Sequence, residues 1–254
     1  MRSDRRVDST AQRLWRTYVP DAIRGRVNAV RAARRESAWR KWRDLGELRR
    51  TTPFSTWGAS RGGSIARVYI AEFLEHHAGD IRGRALEIAG DEYIRKYGTG
   101  VTRVDVLDVL PDNPKATIVA DIADAPNVPD DSFDCVLITQ VLSWVYDVRA
   151  PLRTAHRILS PGGVLLATTP GIARIAPVES ELFGEWWHFT SMSAKRVTEE
   201  VFGEGNVEVE SFGNVLAAAA SLYGLGAYDV SPEELAVRDP AFELVVAIRA
   251  VKRD

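Results

Sequence analysis

ALEIAGDEY (85–93), VTRVDVLDV (101–109), ATIVADIAD (116–124) and FDCVLITQVL (133–142) follow one another as four apolar segments, each with acids or polar residues towards its C-terminal end. A fifth, GGVLLATTPG (162–171), comes after the turn signal SPGG. Apolar strands alternating with helical connections imply a parallel sheet covered on both faces. Ligands of such sheets bind beyond the carboxyl ends of the strands, where Glu87, Asp105, Asp121, Thr139 and Gln140 fall. Two later segments, NVEVESFGNV (206–215) and FELVVAIRAVK (242–252), also read as strands. The expectation is a Rossmann-like α/β fold: a seven-stranded, mostly parallel sheet with helices on both faces.

On the N-terminal side of these strands, SIARVYIAEFLEHHAGDIRG repeats Ile65, Val68, Tyr69, Phe73 and Leu74 at helical spacing. This predicts a helix packed on the sheet before its first strand, with His76 and His77 at its surface end. TTPFSTWGASRGG (51–63) is loop-like. A further helical pattern starts at Asp21, a capping residue type, and runs with few breakers to Arg50. On the C-terminal side, RIAPVESELFGEWWHFTSMSAKRVTEEVFG (174–203) reads as a loop and then a helix capped by Ser191 or Ser193. The organisation predicted is a basic helical extension over 1–50 and one α/β domain over 51–254.

The chain has 254 residues and a net charge of −2. Residues 1–50 hold fifteen Lys and Arg against six Asp and Glu, a balance of +9 that leaves −11 for the remainder. Such asymmetry fits a nucleic-acid arm or a solvated helix that packs on a partner subunit. No zinc spacing, RNP-like aromatics or lysine run accompanies it, so nucleic acid is disfavoured and a homodimer through the extension is expected. No apolar run approaches the roughly 18–20 residues that span a bilayer. The Arg-rich start lacks a signal-peptide core, and Asp4 and Asp8 speak against a transit peptide. Cys135, the single cysteine, lies in an apolar strand, as a buried inert thiol does. A cytoplasmic enzyme without a metal site fits these features.

Two groups of nucleotide-using proteins share the rhythm of strands and acids. Dinucleotide enzymes need G-x-G-x-x-G after the first strand. The turn here, Glu87 to Glu92, has one glycine and two acids, Asp91 and Glu92, which would repel a pyrophosphate and tolerate a cationic sulfonium nucleoside.

With LGELRR, RGGSIARVYIAEFL, RGRALEIAGDEY, VDVL, ATIVADIADAP, FDCVLITQVL, RILSPGGVLLATTPG, EWWHFT and FGNVLAAAASLYGL on the page, the chain resembles a class I S-adenosylmethionine-dependent methyltransferase. More narrowly it is similar to bacterial type-11-like enzymes associated with glycan and natural-product pathways. The resemblance covers about residues 45–252 and implies S-adenosyl-L-methionine as cofactor. It implies that Glu87 and the backbone of Ile88, Ala89 and Gly90 line the methionine end. Asp105, with Val106, would hold the ribose; Asp108 is the alternative, and VTRVD matches the usual approach to that acid. Asp121 and Ile122 would meet the adenine, while Thr139 and Gln140 would face both cofactor and acceptor. As isolated residues, Asp105 and Asp121 also read as strand-end acids.

Relatives tend to read D-R-G-x-P-I-D-R-Y-Y-I where this chain has SRGGSIARVYI. Arg61 and Gly62 would then bind the cofactor's carboxylate end, and Tyr69 would close over it; a structural helix start is the other reading. Relatives also carry L-E-I-G-D, whereas LEIAGD displaces the glycine by one position. In GEWWHFT (184–190), His188 stands where arginine is usual. A histidine there is a candidate general base, its ordinary pKa being about 6.5, or a loop residue that anchors Trp186 and Trp187. Gln140 is carried with it as a catalytic candidate, and Trp144, Trp186 and Trp187 as walls of the acceptor pocket. The acceptor expected is a hydroxyl of a sugar or small secondary metabolite. The alternatives are a non-catalytic methyltransferase-like scaffold and an RNA methyltransferase using the basic arm. ITQV after strand four, in place of N/D-P-P-Y/F, disfavours nucleobase amino groups.

Overall fold

The structure, a computed structural model, describes residues 29, 48–56, 58 and 60–253. The chain divides into two units, Met1–Thr52 and Pro53–Asp254. Of the first unit, Ala29, which is helical, and residues 48–52 are described. The helix expected from Asp21 otherwise lies outside the described residues.

The second unit is built on a seven-stranded sheet. Its strands are β1 (Gly83–Ile88), β2 (Val101–Asp108), β3 (Ile118–Val119), β4 (Phe133–Thr139), β5 (Leu159–Pro170), β6 (Val207–Phe212) and β7 (Val245–Val251). The order is β3-β2-β1-β4-β5-β7-β6. β1 to β5 pair in parallel, and β7 inserts antiparallel between β5 and β6. The order reverses between β1 and β4, which makes a crevice at their carboxyl ends, the usual ligand position of such sheets.

Alternation along the strands sends neighbours to opposite faces, and two cores result. Leu86, Val136, Ile138, Leu165, Ala167 and Ile248 face one side. They pack there against α3 (Arg149–Ile158) and α5 (Ser191–Phe202) through Leu152, Ile158, Ala194 and Phe202. Ala85, Cys135, Leu137, Leu166 and Ala247 face the other side, where α1 (Ile65–His76) lays down Ile65, Tyr69, Phe73 and Leu74. The short helix α2 (Glu92–Tyr97) contributes Ile94 to the same side, and α6 (Val215–Leu222) contributes Ala217 and Ala220. Cys135 is buried there, and burial pushes its thiol well above the ordinary range. Among the described residues no helix is long and apolar enough to cross a membrane.

Two local readings change. The residue that caps α5 is Thr190, whose hydroxyl accepts from the Ser193 N–H; Ser193 returns the bond as the third helical residue of a capping box. His77 is only partly a surface residue, since its ring packs on Phe73 and lies near Asp80 and Glu210.

Candidate active site

β1 leaves the sheet through a turn held by its own acid. The buried Glu87 carboxylate accepts from the Tyr93 N–H at 3.3 Å and the Ile94 N–H at 2.9 Å, and so pins the start of α2. Burial pushes its pKa up to about 7, against the opposing pull of these two bonds. Between the anchor points, Ala89 takes the left-handed conformation (φ +65°) that costs a non-glycine residue roughly 1–2 kcal/mol. Gly90 leaves room for a flexible side chain. A Cβ on it would lie 2.1 Å from the Glu92 carboxylate, which folds back to accept from the Asp91 N–H. The displaced glycine of LEIAGD thus leaves the strained position to an alanine.

The acids of this turn are neutralised. Asp91 pairs with Arg95 and with Lys115 at 3.2 Å, and Lys115 also pairs with Glu92. The bond to Arg95 holds Asp91 below the usual carboxylate range, and the bond to Lys115 does the same for Glu92. The expected repulsion of a pyrophosphate therefore loses its charge, and the lack of a second and third glycine carries that argument alone.

On β2 the structure corrects the ribose assignment. Asp105 lies three residues before the strand's end, is buried, and pairs across with Leu86. Its carboxylate accepts from Arg84 Nε at 2.8 Å, Arg103 Nη2 at 3.1 Å and Thr117 Oγ1 at 3.0 Å. Burial alone would raise its pKa, but these bonds outweigh it and hold the carboxyl below its ordinary range. Val106 is likewise interior, its N–H on Thr117 Oγ1. The acid at the strand end is Asp108. Its Oδ1 accepts from the Leu110 N–H at 2.9 Å, and its Oδ2 from the Asn113 amide at 2.5 Å. The same amide reaches the Ala89 carbonyl at 2.9 Å, so Asp108 sits against the β1 turn.

After β3, Asp121 is exposed and accepts from the Ala123 N–H at 2.8 Å. Ile122 turns into the first core beside Leu86 and Leu107, so its side chain does not cover a ligand ring as expected. Thr139 ends β4, and Gln140 follows in the left-handed conformation (φ +59°). Its N–H donates to the Thr168 carbonyl at 2.7 Å and its amide to the Thr168 hydroxyl at 3.2 Å. Strained residues such as Ala89 and Gln140 cluster at functional sites, and these two flank the crevice.

The segment ahead of α1 also needs correction. The Arg61 guanidinium is engaged by Asp229, Nε at 2.6 Å and Nη2 at 2.5 Å, which ties this loop to the turn Ala227–Asp229. Gly62 (φ +86°) packs under the Tyr228 ring, 2.5 Å from where its Cβ would be. Tyr69 is fully buried on the stripe it shares with Ile65 and Phe73, and its hydroxyl donates to the Leu235 carbonyl at 3.1 Å. It cannot close over a ligand. Arg67, two residues earlier and exposed, lies beside Tyr93 at the β1 turn.

On the other flank of the crevice, GEWWHFT forms a strap across β4 and β5. The Trp186 and Trp187 N–H groups donate to the Ser143 carbonyl at 2.8 and 3.3 Å, just after β4. The Phe189 N–H donates to Pro170, the last residue of β5, at 2.8 Å. Trp187 Nε1 donates to the Tyr146 carbonyl, and Tyr146 meets Trp186 edge-on at 5.1 Å. Trp144 stacks on Phe183 of α4 (Pro177–Phe183) at 5.9 Å. His188 Nε2 lies 3.0 Å from Glu185 Oε1. Among the described residues no group of three or more His, Cys, Asp or Glu is placed to hold a metal ion.

Sequence reasoning passed over Asn113, Lys115, Thr168 and Glu185. Only Glu185 left a signal, a carboxylate three positions before His188.

Residues 62–167, which contain the β1 turn, both acids of β2 and Gln140, match the family model described as a methyltransferase domain. Over that stretch the chain is similar to methyltransferase domains. The fold around it is that of class I methyltransferases. It is similar to Phospholethanolamine N-methyltransferase 2 of Haemonchus contortus, solved with phosphomonomethylethanolamine and S-adenosylhomocysteine, at 14% identity and a TM-score of 0.50. That match covers 78% of this chain and 55% of that one. A SAM dependent methyltransferase from Archaeoglobus fulgidus is similar at 16% identity and a TM-score of 0.49, over 75% of this chain and 95% of that one. An S-adenosylmethionine dependent methyltransferase from Mesorhizobium loti is similar at 19% and 0.47, over 70% and 95%. Curated proteins gave no match. Beyond the matched residues, β6 and β7 complete the sheet, and α4 and the strap lie after β5.

Proposed function

We propose that the protein is an S-adenosylmethionine-dependent O-methyltransferase acting on a hydroxyl of a small molecule, a sugar or secondary metabolite. The observation that carries the cofactor half is Asp108, a strand-end carboxylate set against the left-handed Ala89 turn where the strand order reverses. Its present partners are an amide and a backbone N–H, donors of the kind that ribose hydroxyls replace. Asp108 holds the ribose diol in this reading. The turn 88–90 and Arg67 serve the amino-acid end, and Asp121 accepts from the adenine amine. When bound, the cofactor supplies a methyl group activated on sulfur.

The protein's own work is alignment and exclusion of water. Gln140, fixed on Thr168, faces both ligands. Trp144, Trp186 and Trp187 wall the acceptor. His188 takes the acceptor's proton, which a neutral hydroxyl must lose and an amine need not; that need is why a hydroxyl is favoured. The sugar or secondary-metabolite assignment rests on family resemblance alone. Residues 51–254 are assigned to this activity in the cytoplasm, and the basic extension 1–50 to self-association. The scaffold reading rests on the displaced glycine of LEIAGD and on Ser60 and Ala66, which stand where relatives carry acids, and the RNA reading rests on that extension alone.

Calorimetric titration with S-adenosylmethionine tests the reading. Wild type binds, and Asp108→Ala binds about 10–100-fold more weakly, the loss expected for hydrogen bonds to a charged group. A wild type that does not bind ends the enzyme reading.

A further inference from the structure

Glu185 is almost wholly buried, its side chain 6% exposed, while the imidazole it faces is 33% exposed. One carboxylate oxygen, Oε1, meets His188 Nε2 at 3.0 Å. The other, Oε2, accepts from the Ala176 N–H at 2.8 Å and lies 3.1 Å from the Ser180 hydroxyl, which is shared with the Ala176 carbonyl. The carboxylate is therefore clamped from behind by the start of α4. The strap that bears both residues is fastened through its backbone to Ser143 and Pro170, which holds the His188 backbone near the carboxyl ends of β4 and β5.

A carboxylate can only accept. The proton between the pair thus sits on Nε2, and Nδ1 is the nitrogen without one. We propose that Glu185 is a positioning residue that fixes the tautomer and orientation of His188 and leaves Nδ1 as the base that faces the acceptor. The inference rests on the O-methylation reading. In the step it serves, the acceptor's O–H bond breaks and the proton passes to Nδ1. The oxygen keeps the electron pair and bonds the methyl carbon, whose former bond pair leaves on sulfur. The imidazolium that forms is held by Glu185, the orienting logic of base–carboxylate pairs elsewhere. Glu243, which also lies near this stretch, is engaged by the Ser191 N–H at 2.8 Å.

Long-range proton–nitrogen NMR on full-length protein labelled with ¹⁵N-histidine tests the pair, with the four histidines assigned by triple resonance. Neutral His188 is expected to be protonated at Nε2, and that preference to weaken to a mixture with the Nδ1 form in Glu185→Gln, whose amide can present a donor as well as an acceptor. A neutral wild-type His188 protonated at Nδ1, or an undiminished Nε2 preference in folded Glu185→Gln, overturns the proposal. The wild-type tautomer is read without any variant, so it decides even if Glu185→Gln fails to fold. Calorimetry with S-adenosylmethionine on the same samples separates the two readings. Glu185→Gln binds as wild type does, and absent binding in both removes the cofactor reading while the tautomer still judges the pair.

Discussion

Asp105 and Asp108 stand three residues apart on one strand, yet the interior of the sheet and its carboxyl edge treat them in opposite ways. Inside, Asp105 is surrounded by Arg84, Arg103 and Thr117, and its charge is matched within the fold. At the edge, Asp108 meets only an amide and a backbone N–H. Burial with cations turns a carboxylate into a structural part, whereas amides leave it open to exchange with a ligand's hydroxyls. The two acids are chemically the same and both are buried, and position alone separates the structural acid from the one proposed to hold the ribose.

The sharpest way to break this comparison is to neutralise the interior acid. Asp105→Asn should cost about 1–3 kcal/mol in urea unfolding, because it removes the charge from hydrogen bonds made to a buried carboxylate, while S-adenosylmethionine affinity stays as in wild type. Since the folded carboxyl of Asp105 lies below its ordinary range, its contribution is present at neutral pH and is lost as pH falls through that lower value. Asp108→Ala reverses the pattern: about 1.5–3 kcal/mol of cofactor binding lost, the range for hydrogen bonds to a charged group, and little change in unfolding. If both variants lost the same quantity in the same assay, the edge and the interior would be alike.

Glu87 sits between the two regimes, buried like Asp105 but bonded to backbone N–H groups like Asp108. Its folded pKa of about 7 exceeds the ordinary 4.5, so the folded protein retains this proton where the unfolded chain releases it. The stability it gives is full below the ordinary value and declines as pH rises through about 7. Glu87→Gln should flatten the unfolding free energy between about pH 5 and pH 8 by roughly 1–2 kcal/mol relative to wild type. An identical slope in the two proteins would mean that the carboxylate is ionised in the fold. The smallest effect belongs to the edge backbone. Ala89→Gly should relieve the left-handed turn and raise stability by about 0.5–1 kcal/mol, a rise in melting temperature of about 2–4 °C.

The sheet was legible because alternation along β1, β4 and β5 and the helical stripe Ile65–Tyr69–Phe73 are local patterns. That same stripe already placed Tyr69 in the core, and the family motif obscured it. The pairing of Arg103 with Asp105, two residues apart on one strand face, was also readable, but Arg84 arrives from β1 only when the strands register. The Arg61–Asp229 clamp joins residues 168 positions apart, and no local pattern announces it. The strap is similar: Glu185 and His188 are neighbours in sequence, yet Ser143 and Pro170, which hold them over the crevice, come from two strands.

The antiparallel insertion of β7 has a consequence for the order of assembly. β2 to β5 each find a parallel neighbour already made as the chain grows. β6 bonds to β7 alone, so once synthesised it has no place in the sheet until Val245–Val251 arrives between it and β5. Over that interval the apolar edge of β5 is open, and it is there that a nascent chain of this protein is most exposed to pairing with the wrong strand.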